Sequence, residues 1–182
     1  QESFTDTQTF IGKSAHGSLP YQGENAFLKA LYFLGSLEKK LDNPLFFEHL
    51  YEILKDPYGK GLKLEKEDHS GKLTINPGMA HLDNNQLIFF LDIRYPVSSH
   101  PKEIMNQLQK SFLQIEEIKH HLPLHHSTDL PAINTLLKAY QTITEDYQSK
   151  PMAMGGGTLA RAFPNAVAFG AVFPKEEERA HT

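Results

Sequence analysis

The sequence predicts an α+β fold: a ferredoxin-like β-α-β-β-α-β domain carrying a helical insertion, followed by a partial α/β segment. Three observations lead there. Apolar periodicity switches between two and about 3.6 residues in that order along the first two thirds of the chain. A hairpin turn, Asp83-Asn84-Asn85, separates two strand-like stretches near the middle. The composition then shifts at Ser127-Thr128-Asp129, and a helix, a glycine-rich loop and a short buried-type strand follow.

Residues 4–12 carry Phe, Thr and Ile in a β-favouring run and predict the first strand. The stretch 12–20, punctuated by Gly12, Gly17 and Pro20, predicts a loop. From Asn25, residues Phe27, Leu28, Leu31, Leu34, Leu37 and Leu41 recur at helical spacing, which predicts a helix over 25–41 stopped by Asn43-Pro44. The insertion is a second helix over 45–55, closed by a Pro/Gly turn at 56–61. Strands are expected over 71–81 and 86–95, the latter nearly all apolar until Asp92 and Arg94. Ser98 or Ser99 opens a helix over 101–114, with Pro101 in its first turn, and a strand over 116–126 completes the set. In the remainder, Leu130, Ile133, Leu136, Leu137 and Tyr140 mark a helix over 129–147, and Ala166–Gly170 reads as a buried strand. The domain division expected is 1–127 and 128–182, the second part being too short for a complete α/β domain.

Composition narrows the function classes. The 182 residues include 18 basic and 22 acidic side chains, a net charge of −4. That mild acidic balance argues against a nucleic-acid or anionic-membrane partner. No stretch approaches the run of about 18 apolar residues that a membrane span requires. With no cysteine, disulfides and thiol chemistry are excluded, and the expected location is cytoplasmic. The polar start at Gln1, without Met, and the abrupt end at His181-Thr182 lead us to expect a piece of a longer chain.

Several residues are candidates for chemistry. His16 lies in a Gly/Ser/Pro loop rather than an apolar element, and loops set on a scaffold carry much of protein function. Arg94 ends an apolar strand with Asp92 two residues before it on the same face. It reads either as half of a local Asp–Arg pair or as a guanidinium aimed at a substrate carboxylate. Gly155-Gly156-Gly157-Thr158 lets backbone N–H groups approach an anion, although no P-loop ending follows and triple glycine alone usually marks a turn. His120, His121, His125 and His126 lack a nearby carboxylate to complete a metal site and read as a solvated strand edge. Glu176-Glu177-Glu178 reads as a solvated acidic turn, and His181, by position alone, as part of a frayed terminus.

Taken together, three motifs resemble one family. Gly12-Lys13-Ser14-Ala15-His16-Gly17-Ser18-Leu19-Pro20, followed by Gly23-Glu24-Asn25-Ala26, resembles the lid histidine motif of the co-catalytic zinc metallopeptidases. That family includes the aminoacylases, carboxypeptidase G and succinyl-diaminopimelate desuccinylase. Leu91-Asp92-Ile93-Arg94-Tyr95-Pro96 is similar to the lid arginine motif of its peptidase V-like dipeptidase branch. Gly155-Gly156-Gly157-Thr158-Leu159-Ala160-Arg161, with Pro164–Gly170 and Phe173-Pro174, resembles that branch's C-terminal catalytic signature.

The resemblance implies roles. His16 would polarise the scissile carbonyl, and Arg94 would grip the substrate's C-terminal carboxylate. Gly156, Gly157 and Thr158 would line the carboxylate pocket. His181 would be the last zinc ligand. The family hydrolyses dipeptides or N-acyl-amino acids through metal-bound hydroxide on two metals, with zinc, cobalt or manganese suiting the ligands. Its other ligands, a His-x-Asp motif, a bridging Asp, a Glu-Glu pair and a further carboxylate, lie upstream of the lid. Glu116-Glu117 falls inside the lid instead, and Lys175 stands where the branch usually has Gly. The chain is therefore expected to be the lid, residues 1–127, plus a C-terminal catalytic strip of a metallodipeptidase, inactive by itself. The rival expectation is a non-catalytic ferredoxin-like module that dimerises or binds a small carboxylate; lid domains in this family do form homodimers.

Overall fold

The structure is a computed structural model that describes residues 7–37, 41, 43–112, 114–170 and 173. It divides into two compact units, residues 1–117 and 118–182. The α+β class holds, with helices and small antiparallel sheets in the first unit.

In that unit, helix α1 (Ala26–Gly35) begins where Asn25 accepts a hydrogen bond from Leu28 N at 3.1 Å, an N-cap that satisfies one of the orphan amides of the first turn. It ends six residues short of the predicted end at Leu41 because Ser36 folds back, its Oγ donating to Phe33 O at 2.6 Å. Helix α2 (Pro44–Leu54) is the inserted element, capped by Asn43 with Pro44 in its first turn. A two-residue ladder joins β1 (Glu67–Asp68) to β2 (Gly71–Lys72). The main hairpin pairs β3 (Thr74–Asp83) with β4 (Gln86–Arg94). Its turn is the predicted one: Asn84 and Asn85 both take positive φ, 45° and 62°, as a two-residue turn matched to strand twist demands. The register slips between Pro77 and Ala80, where Pro77 offers no N–H to the ladder. Helix α3 (Pro101–Leu108) follows, its cap position taken by His100 rather than by either serine.

Strand β4 alternates strictly. Leu87, Phe89, Leu91 and Ile93 face inward, while Ile88, Phe90 and Asp92 face outward. Beneath the inward face, Leu31, Leu50, Leu54, Leu62, Leu73 and Ile75 form the centre of the core. Phe89 bridges its neighbours, with ring centroids 5.7 Å from Phe27 and 5.6 Å from Phe112.

The outer strands of the predicted sheet are not paired among the described residues. Residues 7–12 form no strand: Phe10 packs on Phe33 with ring centroids 5.5 Å apart, and the Ile11 carbonyl accepts from Lys29 Nζ at 3.0 Å instead of from a strand. Residues 114–126 likewise form no strand, and Ile118 and Leu122 are exposed. In the second unit, α4 (Pro131–Thr144) realises the predicted helix and stops at Glu145, which adopts a left-handed φ of 57°. Residues 166–170 form no strand.

The end of β4 is pinned. Asp68 accepts from Ser70 N at 2.7 Å, Ser70 Oγ at 2.6 Å and Ser98 N at 2.9 Å, and Ser70 Oγ accepts from Val97 N at 3.0 Å. These bonds, led by the Ser70 hydroxyl, hold the Asp68 carboxyl well below the usual carboxylate range. Since the folded value lies below the unfolded one, this group contributes stability above about pH 4 that is lost as pH falls further. Asp68→Asn should therefore lower stability at neutral pH and flatten its decline between about pH 5 and pH 2, as read by urea midpoints. Leu54, 1% exposed, tests the core: Leu54→Ala should cost about 3 kcal/mol in urea unfolding.

Candidate functional site

The loop that carries His16 reaches the strand end that carries Arg94. Arg94 closes β4 on its outward face, two residues beyond Asp92. Asp92 Oδ2 accepts from Arg94 Nη2 at 3.0 Å and Nε at 3.3 Å, so one carboxylate oxygen holds one edge of the guanidinium. The local Asp–Arg pair, one of the two readings of Arg94, is thus present. It does not exclude the other, because the pair sits directly beneath the His16 loop. A Cβ on Gly17 would collide with Asp92 Oδ2 and lie 3.0 Å from Arg94 Nη2. Gly17 and Arg94, 77 positions apart in sequence, approach this closely because Gly17 has no side chain.

The loop that carries His16 is built at both ends. Lys13 and Glu24 exchange two backbone hydrogen bonds, each 2.9 Å, and close the loop at its base. Gly12 and Gly23 flank this bridge, where a Cβ would lie 2.5 Å from Glu24 O and 2.6 Å from Lys13 O respectively. Asn25 then ties the loop to the hairpin. While its Oδ1 caps α1, its Nδ2 donates to Pro77 O at 2.6 Å and Asn76 Oδ1 at 3.3 Å. Asn76 is the register partner of Asp92, so one asparagine links the helix, the loop and the strand pair that bears the candidate site.

His16 is half-buried. Its Nδ1 lies 2.6 Å from Ser18 Oγ and 3.4 Å from Ser18 N. An amide can only donate, so this contact suits the tautomer in which Nδ1 accepts and Nε2 carries the proton. In that tautomer Nε2–H donates, which suits a group that polarises a carbonyl oxygen.

Gly156, Gly157 and Thr158 lie in the second unit. Thr158 leads into a short 3₁₀ turn at Leu159–Ala162, and the Arg161 guanidinium packs beside Gly157. His181 lies outside the described residues, as do Glu176-Glu177-Glu178. The histidines at 120–126 do not lie on a strand; His126 Nε2 is 3.1 Å from Ala166 O. One His-x-Asp spacing does occur in the chain, at His81-Leu82-Asp83, which the sequence reading passed over. It lies at the exposed end of the main hairpin. Among the described residues, no three His, Cys, Asp or Glu side chains gather as a metal site, so their donors do not fit a two-metal centre.

The peptidase dimerisation domain model matches residues 5–118, nearly the whole first unit. The chain belongs to the M20 peptidase dimerisation-domain family. Its relatives include a Staphylococcus saprophyticus protein named “Putative dipeptidase”, 32% identical across 99% of this chain and 40% of that protein. A Staphylococcus aureus (strain USA300) protein of the same designation is 33% identical across 95% of this chain and 38% of its own length. The chain thus spans about two fifths of the length of the curated relatives it matches. No helix among the described residues is long and apolar enough to cross a membrane.

What the sequence reading missed are the parts that hold the loop in place: the cap and hairpin bonds of Asn25, Ser18, and Gly17. Ser18 stood two residues from His16, a spacing at which a hydroxyl reaches its neighbour's ring, and that signal was available. Asn25→Ala removes a cap and two bonds to the hairpin. It should cost about 2 kcal/mol, seen as a lowered urea midpoint with unchanged slope.

Proposed function

We propose that this chain is the substrate-binding lid (1–127) and a C-terminal catalytic strip (128–182) of a cytoplasmic metal-dependent dipeptidase. The observation that carries the reading is the closure of the His16 loop onto the Asp92–Arg94 pair, in a peptidase-family chain whose relatives bear the dipeptidase name. Arg94 receives the C-terminal carboxylate of the substrate through its planar fork. Donating from Nε2, His16 binds the scissile carbonyl oxygen and stabilises the negative charge that grows there as the nucleophile adds. Gly156, Gly157 and Thr158 are assigned to substrate binding by the family resemblance of their motif. The metal ions, zinc or alternatively cobalt or manganese, are held mainly by residues that the rest of the protein provides, with His181 as this chain's ligand.

A second reading has its own support. The matched family model is named for dimerisation, and the outward face of β4 exposes Ile88 and Phe90. In that reading the chain serves as a self-associating module, with or without a carboxylate site.

Dipeptide hydrolysis with added zinc, cobalt or manganese, assayed on this chain and on the full-length protein, separates the two. The full-length protein should hydrolyse and the chain alone should not. In the active protein, His16→Ala should lower kcat about 10²–10³-fold, as removing an oxyanion donor does elsewhere. Arg94→Ala should act chiefly on KM for substrates with a free carboxylate. A full-length protein inert with all three metals would refute the dipeptidase reading, and sedimentation of the chain would then decide whether the self-associating module takes its place.

A further inference from the structure

We propose that Gly17 and Asp92 are positioning residues for Arg94: Asp92 aims the guanidinium, and the absent side chain at Gly17 lets the His16 loop close on that aimed pair. The inference rests on the reading that Arg94 receives a substrate carboxylate, and it identifies what makes that arginine selective.

Arginine at a strand end sits on a long stem with many rotamers, and its value for a carboxylate lies in presenting a planar fork at one angle. Here the angle is set from within the strand. Asp92 lies on the same face, and its Oδ2 accepts from both Nε and Nη2, at 3.3 and 3.0 Å, which holds one edge of the guanidinium against the strand. The pair is partly exposed, with side chains 31% (Arg94) and 47% (Asp92) accessible, so the attraction itself contributes little to folding stability. Its effect is geometric.

Gly17 supplies the second half of the device. Directly after His16, it rests on the tips of both charged side chains. A methyl group there would strike the Asp92 carboxylate and crowd the Arg94 Nη2 group, which are mobile side-chain ends and not backbone. Gly17→Ala would therefore leave the fold and swing the guanidinium out of line. The loop itself stays anchored by the Lys13–Glu24 bridge and by Asn25, neither of which the substitution touches. Asp92→Asn is nearly isosteric. It removes the charge that orients Arg94 while preserving volume, so each variant probes the same arginine by a different route.

The test compares an unblocked dipeptide with its C-terminal amide on the full-length protein. Arg94→Ala should erase the preference for the free carboxylate. Gly17→Ala and Asp92→Asn should each raise KM for the dipeptide about tenfold and shrink the preference for the free carboxylate over the amide. Gly17→Ala added to Arg94→Ala should cost nothing further, since it acts through a group already removed. If Gly17→Ala and Asp92→Asn both keep the wild-type preference while Arg94→Ala loses it, the positioning inference is overturned and the carboxylate reading stands. If Arg94→Ala itself keeps the preference, the carboxylate reading falls and takes the inference with it.

Discussion

Everything in the first unit depends on the two-residue period of β4. Its inward side chains, Leu87, Phe89, Leu91 and Ile93, lock the strand to the core. That leaves Asp92 on the opposite face, with Arg94 two residues beyond it at the strand end. A slip of one residue would bury an arginine and a carboxylate and expose four large apolar groups, so the register is heavily specified. Packing energy thus secures the orientation of a charged pair that contributes little by its own attraction.

The loop from 12 to 25 depends in turn on that placement. It has few apolar residues of its own and is held by polar bonds: the Lys13–Glu24 exchange at its base and Asn25 at its exit. Asn25 reaches Asn76 and Pro77 on the strand that pairs with β4, so the loop is hung from the same hairpin that presents Arg94. The loop whose histidine bonds to Ser18 is thereby brought against the Asp92–Arg94 pair from a distant part of the sequence. At this same end of β4, the Asp68–Ser70–Ser98 bonds stop the strand end from fraying just after Arg94.

Local patterns were legible where the chain's own chemistry decided the outcome. The Asn84-Asn85 turn, the helix that opens at Asn25, and α4 follow from residue types acting on their nearest neighbours. Pairing was not legible at the margins. Residues 7–12 have strand composition, yet Phe10 finds Phe33 and Lys29 takes the Ile11 carbonyl, so helix α1 satisfies what a ladder would have. The helix over 25–41 was overread because Leu37 and Leu41 continue the apolar period past Ser36, whose hydroxyl turns back on the helix.

By itself the sequence determined the class of fold, the central hairpin and the residues able to carry chemistry, because periodicity, turn residues and charged groups act over a few positions. Only the tertiary structure brings the loop after His16 onto the Asp92–Arg94 pair. The contact between Gly17 and the Asp92–Arg94 pair spans most of the first unit and depends on the absence of an atom, a Cβ, whose significance appears only when the opposing surface is in place.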